Sequence, residues 1–494
     1  RRAVGARVAG GVGALLGGGE GWGAMVGAWG SVPQISLVVG FAAGGAACGD
    51  LVRISLVVEE GFISGVTFDT EGCAATRAAA ACLAEMVEGT GVIEAAGIDK
   101  DQIEEGIGGL SPARKHAAML TADALHRALS GVAASGQRIS GPQPDRVLVA
   151  VSGGVDSAVA ALRERERGAD VIAVTVKLWA DPETDGAKAC CSPEAVLGAR
   201  AVTHSLGIPH FTLDLEDQFR RRVVGEFVSG YSAGRTPNPC VLCNGEVRIA
   251  AMVDLADRLG ATHLVTGHYA RVVEDSEGSL LACGEDADKD QSYMLAALPT
   301  EVISRLSFPL AGLSKPEVRE IAARNSLAVA HKPESQDLCF LAGQNKQSFL
   351  SRHGGLVDRA GELKDLDGRI LGEHNGHHNF TVGQRRGLGV GGGAPLYVLK
   401  TDAATNTVTV GSRDDLCVDR VSLRDAVMHR DGSTVDRVRL RYRSPAIPAR
   451  TSAAAGNHER LELELDEPFD GPAPGQAAVL MSGDTVVGHA TIAA

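Results

Sequence analysis

Six residues, Ser152-Gly153-Gly154-Val155-Asp156-Ser157, close a short apolar run and open an amphipathic one. Two glycines let the main chain turn tightly enough for several N–H groups to face a single anion. A helix starting at that turn adds the partial positive charge of its N-terminus. Ser152 and Ser157 can donate hydroxyl hydrogen bonds, and Asp156 is a candidate holder of a magnesium ion bridging phosphates. No Gly-Lys-Ser/Thr follows, so the loop is not a Walker A loop. The chemistry expected of residues Ala150, Val151 and 152–157 is therefore phosphate binding by a different glycine turn. Sulfur is the second chemical signal. Cys240 and Cys243 form a Cys-x-x-Cys inside a proline-bearing stretch, and Cys339 lies about a hundred residues further on. A zinc site would want a fourth protein ligand, and none is evident. The proline-bearing setting also argues against a thioredoxin-like dithiol.

The loop needs a strand before it and a helix behind it, and the sequence supplies both. The apolar run 146–151 precedes it and a helix over 156–166 follows. Next come a strand at 171–179, a helix at 193–206, a strand at 210–215, a helix at 246–259 and a strand at 263–267. Strands alternating with helices predict a doubly wound α/β parallel sheet. Before this region, two strands (52–58 and 64–69) and two helices (74–88 and 114–130) read as an α+β module. From about 357 onward short strands separated by Asp/Gly/Asn turns predict small β domains, such as 397–410 and 460–468. The expected division is a tail at 1–33, an α+β module at 34–130, a linker at 131–144, a catalytic domain at 145–355, a central β domain at 356–412 and a β-barrel at 413–494.

Composition excludes several classes. The 494 residues allow roughly three domains. Ten cysteines are too few for a disulfide scaffold of this length. No apolar run reaches the ~18 residues of a membrane span, so no membrane partner is expected. Residues 1–33 begin Arg1-Arg2 and hold 11 glycines; a broken apolar stretch reads as a tail rather than an export signal, and a cytoplasmic location is expected. The net charge of −13 disfavours indiscriminate nucleic-acid binding, but its distribution is uneven. Residues 375–450 hold 12 Lys and Arg against 7 Asp and Glu. Arg437, Arg439, Arg441 and Arg443 alternate, and on one strand they would form a phosphate-binding face, with Arg385 and Arg386 nearby.

The SGGVDS loop resembles that of the PP-loop ATP pyrophosphatases, which adenylate an oxygen and release pyrophosphate. Further segments narrow the resemblance: 234–244 (GRTPNPCVLCN), 335–340 (SQDLCF), 266–269 (TGHY), 288–293 (DKDQSY), 383–389 (GQRRGLG) and 474–476 (PGQ). In this order, over about 145–494, they resemble the tRNA-specific 2-thiouridine synthases. The resemblance implies thiolation of a wobble uridine, with ATP and Mg²⁺ as cofactors and tRNA as a partner. A cysteine desulfurase or sulfur-relay protein would be the sulfur donor. It implies that Cys243 is the nucleophile, that Cys339 carries a persulfide, and that the two form a disulfide during turnover. Val176 and Gly267 would contact the nucleotide. His268, Lys289, Asp290, Gln291, Arg441, Tyr442 and Gln476 would contact tRNA. Two departures stand out. Many relatives carry Asp where this chain has Cys240, which leaves open an iron–sulfur cluster on Cys240, Cys243 and Cys339. Gly245 replaces a frequent Lys, and Arg248 is the candidate substitute charge. Another adenylating enzyme of the superfamily, an iron–sulfur carrier and a catalytically inert tRNA binder are the rival readings.

Residues 36–130 resemble a NifU/IscU-type iron–sulfur scaffold domain. Cys48 with Asp50, and Cys73, match its first two ligand motifs, whereas Ala117 stands where a third cysteine is expected after His116. Cys48, Asp50 and Cys73 are the candidate metal ligands, with His116 as a further one. Cys190, Cys191, Cys283 and Cys417 read as ordinary residues.

Overall fold

The computed structural model describes residues 35–43, 49–179, 181, 192–333, 338–341, 343–390 and 394–493. Cys48, Cys190, Cys191 and the tail 1–33 therefore lie outside the described residues.

Residues 146–150 are apolar at consecutive positions because both faces of their strand are covered: Val147, Leu148 and Val149 are buried. This strand is the centre of a five-stranded parallel sheet. Strands Asp170–Lys177 and His210–Asp214 lie on one side of it, and His263–Thr266 and Leu306–Ser307 on the other. The chain changes direction across the sheet between Arg146–Ala150 and His263–Thr266. A crevice at the carboxyl ends of the strands forms at such a switch point. The loop 152–157 and Gly267 both sit there. The helix Ile249–Leu259 returns the chain to the sheet and stops at Gly260, whose φ of +74° supplies the left-handed cap.

The C-terminal β region closes on itself. Strand Cys417–Met428 pairs with Gly456–Asp470 on one side and Thr485–Ile492 on the other, through Ile447–Arg450, Arg437–Arg439 and Ala477–Ser482. The hairpin of Ala270–Asp275 and Gly278–Cys283, which follows the catalytic strand His263–Thr266, extends this sheet by pairing with Thr485 and Val486. A four-stranded sheet of residues 361–364, 370–374, 397–402 and 407–411 lies between the two in sequence. The arginine face expected over 437–443 is not a continuous strand. The strand ends at Arg439, and Arg443 adopts a left-handed φ of +62° in the turn that follows.

The N-terminal module is a three-stranded antiparallel sheet covered by the helices Ala74–Val87 and His116–Ala134. Its first strand, Ile35–Ala43, is one the sequence reading did not contain. Gly40 lies so close to the helix that a Cβ there would come within 1.9 Å of the Ala124 carbonyl oxygen. The helix runs to Ala134, past the expected start of the linker. It packs on the edge strand of the parallel sheet, where Ser130 Oγ donates to the Thr212 carbonyl at 2.8 Å. Arg258 Nη1 donates to the Ala133 carbonyl at 2.6 Å, and the His210 N–H donates to the Ala96 carbonyl at 3.0 Å.

Two histidines, His126 and His210, are sealed between module and sheet, and His204 stands half-buried beside them. His126 Nε2 lies 2.9 Å from the Ile98 carbonyl, and His210 Nε2 lies 2.8 Å from Thr175 Oγ1, which donates to the Val151 carbonyl. Burial, reinforced by the Arg200 guanidinium, pushes His126 and His210 well below the usual imidazole range. Burial lowers His204 as well. These rings are neutral in the fold but protonate in the unfolded chain below about pH 6.5. Their contribution is therefore full above that pH and is lost as pH falls toward the folded-state values. We expect a melting temperature that is flat above about pH 7 and drops between about pH 6.5 and 5. Each of His126 and His210 should contribute a slope of about 1.4 kcal/mol per pH unit. Thermal melts across that range, with His126→Gln flattening the slope, check this.

Candidate active site

At the loop, Gly153 adopts φ +72°, which an L side chain rarely tolerates, and Gly154 caps the helix Val155–Glu166. Ser157 ties the turn together. Its hydroxyl accepts from the Ser152 N–H at 3.1 Å and donates to the Gly154 carbonyl at 3.2 Å. Val151 is buried beneath the loop, while Ala150 and Val176 are half-buried at the ends of adjacent paired strands. Gly267 lies against the first turn of the helix: a Cβ there would stand 2.7 Å from the Ser157 nitrogen. Asp156 accepts from the Lys315 ammonium at 2.6 and 2.7 Å and from the Tyr269 hydroxyl at 2.9 Å. Lys332 Nζ donates to the Gly153 carbonyl at 2.9 Å. The sequence reading missed both lysines. They come from a segment more than 150 residues beyond the loop, where the local pattern is the Ser314-x-x-Glu317 capping box of a helix.

The cysteine segment is a helix start. Asn238 accepts from the Val241 N–H and caps Pro239–Cys243, with proline at the first helical position. Cys243 is buried, and the neighbouring Asn244 donates to the Met294 carbonyl at 2.9 Å. Burial, and then the neighbouring Cys243, push the Cys240 thiol up to about 11. Cys339 is half-buried and packs against the same apolar cluster that contains Cys243. A cavity of about 270 Å³ is lined by Pro237, Asn238, Cys240, Leu338, Leu341 and Gln476, among others. It thus touches Pro239 and Cys240 of the cysteine helix, Leu338 and Leu341 on either side of Cys339, and a residue that leads into the C-terminal barrel, while Cys243 and Cys339 themselves do not line it. Gln476 Nε2 donates to the Thr236 carbonyl at 2.8 Å, which clamps the cysteine segment to that barrel. Lys346 also lines the cavity, its ammonium 4.3 Å from the centre of the Tyr231 ring; burial lowers it to about 8. A larger recess of about 360 Å³, lined by Trp179, Arg220 and His353, holds none of the expected site residues.

Among the described residues no disulfide is formed, so Cys243 and Cys339 carry no covalent link to each other. Among the described residues, Cys240, Cys243 and Cys339 do not form a group with all ligand atoms within 4.8 Å; Asp50, Cys73 and His116 do. Gly245 has a steric reason. A Cβ there would lie 2.9 Å from Ala297 Cβ and 3.0 Å from its carbonyl oxygen, so any side chain would require a shift of that neighbour. Arg248 is engaged with His268, Nη2 standing 3.0 Å from Nε2. Burial, then this guanidinium, lower His268 to about 3, so the ring is neutral; Nδ1 lies 2.6 Å from Thr266 Oγ1. Of the other residues expected at tRNA, Gln291 accepts from the Tyr269 N–H and Lys289 is half-buried. Asp290 is buried in an ion pair with Arg439 at 2.6 Å and also accepts from the Ser292 hydroxyl, which leaves it a structural partner within the barrel contact. Arg441 donates to the Asp470 and Gly471 carbonyls, and the Tyr442 ring lies 5.9 Å from that of Tyr293. Cys283 accepts from Arg439, and Cys417 is exposed beside Asp470.

A parallel sheet with a glycine turn at its switch point, joined to a cysteine-bearing helix and a β-barrel, has the architecture of the PP-loop class of nucleotide-dependent enzymes. Comparison with known proteins agrees. Residues 145–343 match the tRNA methyl transferase HUP domain, and 347–412 the tRNA methyl transferase PRC-barrel domain. Residues 414–492 match the aminomethyltransferase beta-barrel domain, and 30–136 the NifU-like N terminal domain. The chain is 45% identical over 464 residues to the bifunctional protein NifU/MnmA of Rubrobacter xylanophilus, covering 91% of this chain and 93% of that protein. It is 42% identical to the tRNA-specific 2-thiouridylase MnmA of Sorangium cellulosum, over 75% of this chain and 97% of the relative. With that of Acidithiobacillus ferrooxidans it shares 43% identity, over 69% and 97%. The chain belongs to the MnmA family of tRNA-specific 2-thiouridylases, in the form fused to an N-terminal NifU-like domain.

Proposed function

We propose that this chain converts the wobble uridine of tRNA to 2-thiouridine by adenylation followed by transfer of sulfur from a persulfide on Cys339. The observation that carries the reading is the cavity lined by Pro239 and Cys240 at the start of the cysteine helix, by Leu338 and Leu341 around Cys339, and by Gln476. ATP enters as its Mg²⁺ complex, with its phosphates on the 152–157 loop. The uridine O2 bonds to the α-phosphorus, pyrophosphate leaves, and the N3 proton passes to solvent. The terminal sulfur of the Cys339 persulfide then bonds to C2, and AMP departs. Cys243 attacks the Cys339 sulfur; the S–S electron pair moves to the sulfur on C2, leaving thiouridine and a Cys243–Cys339 disulfide. An external thiol reductant restores the pair. A cysteine desulfurase or relay protein loads Cys339, and the reaction runs in the cytoplasm. Incubation with ATP, unmodified tRNA, desulfurase and cysteine tests this by mass spectrometry of the digested tRNA. 2-Thiouridine at the wobble position, dependent on ATP, is expected; ATP turnover with a different modified product would refute the assignment.

The N-terminal module holds a metal ion in this reading. Asp50 Oδ2 lies 3.0 Å from His116 Nε2, and Asp50 Oδ1 accepts from the Cys73 N–H. A hydrogen bond from Thr76, opposed by burial and supported by His116, holds Asp50 at about 2. One oxygen, one sulfur and one nitrogen donor fit a single borderline divalent ion such as Zn²⁺. They do not by themselves fit a two-iron cluster, which takes four cysteine ligands, because Ala117 occupies the next position. We expect about one Zn²⁺ per chain by elemental analysis, at least half of it lost in Cys73→Ser. Unchanged zinc in that variant would remove the site.

A further inference from the structure

We propose that the recess of Trp179, Arg220 and His353 is a second tRNA subsite, which holds a nucleotide flanking the wobble uridine with its base stacked on the Arg220 guanidinium. The inference rests on the thiolation reading above and adds a contact to it. The recess measures about 360 Å³ and is lined by residues of the helices Gly225–Ser232 and Lys346–Gly354 together with Trp179 and Arg220. Trp179 is buried against Phe219 and Phe349, with ring centres 6.4 and 5.9 Å away, and the His353 ring stands edge-on to it at 5.2 Å. The Arg220 guanidinium lies 4.8 Å over the indole ring, yet Arg220 as a residue is exposed. A guanidinium held on an indole by one face can take a second planar group on the other, and unstacked bases of single-stranded RNA are bound on such planes.

Three features of the recess suit a nucleotide of the tRNA strand. First, Trp179 is only 3% exposed and its indole N–H has no hydrogen-bond partner. A buried donor left unpaired is costly, and a base carbonyl or ring nitrogen would satisfy it. Second, the free charge at the rim is positive. Arg222 pairs with Glu246, whereas among the described residues Arg220 and Arg221 have no carboxylate partner. The nearby acids are matched: Asp181 pairs with Arg352 and His353, and Glu226 with Arg235. Adjacent open arginines fit the successive phosphates of a strand better than the single phosphate of a free mononucleotide. Third, the recess adjoins the cavity assigned above to the target uridine. Phe227 and Tyr231 face that cavity, while Val228 and Ser232 of the same helix face the recess. On the second helix Lys346 lines the cavity and His353 the recess, about 10 Å further along the axis. A splayed single strand covers that distance in a few nucleotides.

The test is equilibrium binding of an anticodon stem–loop RNA to the full chain, with an abasic site moved through the nucleotides on either side of the wobble uridine. The unsubstituted chain, Arg220→Ala and Trp179→Phe are compared, with a melting curve for each. Stacking of one base is worth roughly 5- to 100-fold in affinity. The unsubstituted chain is expected to lose about that at one flanking position and much less at the others. Arg220→Ala should bind the intact RNA more weakly by a similar factor, and the abasic site at that position should then cost it little, because base and guanidinium act as a pair. Trp179→Phe keeps a ring under the guanidinium and removes only the indole N–H, so its loss should be the smaller one. Should Trp179→Phe fail to fold, the exposed Arg220 carries the test alone. An Arg220→Ala loss that is equal for intact and abasic RNAs, with the salt dependence reduced by about one phosphate contact, would make Arg220 a phosphate ligand and overturn the base site. Unchanged RNA affinity in Arg220→Ala also overturns it; binding of free UMP or AMP that is lost in that variant would then assign the recess to a mononucleotide. Failure of the unsubstituted chain to bind the intact stem–loop would refute the tRNA reading itself, and this proposal with it.

Discussion

Serine at position 339 is expected to abolish 2-thiouridine formation while tRNA-dependent pyrophosphate release continues. In the proposed reaction adenylation and sulfur delivery use separate groups, the 152–157 loop and the cysteine pair. Removing a covalent nucleophile that acts within a unit costs on the order of 10³-fold or more. Cys243→Ser should fail differently. The persulfide sulfur still reaches C2, but nothing breaks the S–S bond to Cys339. A tRNA–protein adduct should then accumulate and be released by excess dithiothreitol. Denaturing gels of the two variants separate these outcomes. Cys243→Ser turning over normally without added thiol would remove Cys243 from the resolving role. Cys243 itself is buried at the end of a short capped helix.

The second large effect is expected at Gly267. A methyl group there would meet the Ser157 nitrogen at 2.7 Å and the Asp156 carbonyl carbon at 2.8 Å. Both are backbone atoms of the first turn of the loop helix, so the strain falls on the phosphate cradle. Overpacking of this kind costs about 1–3 kcal/mol. If it appears as loop displacement, Gly267→Ala raises the KM for ATP by roughly 10- to 100-fold, since about 1.4 kcal/mol is a factor of ten. Gly198→Ala, on a helix with open space around it, is the control. Equal ATP kinetics in Gly267→Ala and the control would show that the loop yields without cost.

What could be read in the sequence was local and strongly patterned. The loop residues, the parallel strands and the helix behind them each carry their signal in a dozen contiguous residues, and the structure forms them there. Pairings across long separations were not legible. The hairpin of residues 270–283 follows a parallel-sheet strand in sequence but completes the sheet of the C-terminal barrel through Thr485 and Val486. Alternating arginines at 437–443 suggested one face, yet the chain turns after Arg439, and Arg439 spends its charge on buried Asp290. Strand Ile35–Ala43 follows a glycine-rich stretch, and its own Gly40 serves packing rather than flexibility. Lys315 carries no motif of its own near the loop; only the fold sets it against Asp156.

The central claim is that sulfur reaches the uridine from a cysteine persulfide rather than from an iron–sulfur cluster on Cys240, Cys243 and Cys339. The most direct measurement is thiolation by the full chain, purified without oxygen and stripped of iron, with ATP, unmodified tRNA, desulfurase and ³⁵S-cysteine. The persulfide account predicts full ATP-dependent formation of labelled 2-thiouridine, with label trapped on Cys339 when ATP is withheld. It also predicts activity in Cys240→Ala. Thiolation that appears only after iron and sulfide are restored, and that disappears with the cluster in Cys240→Ala, would contradict it.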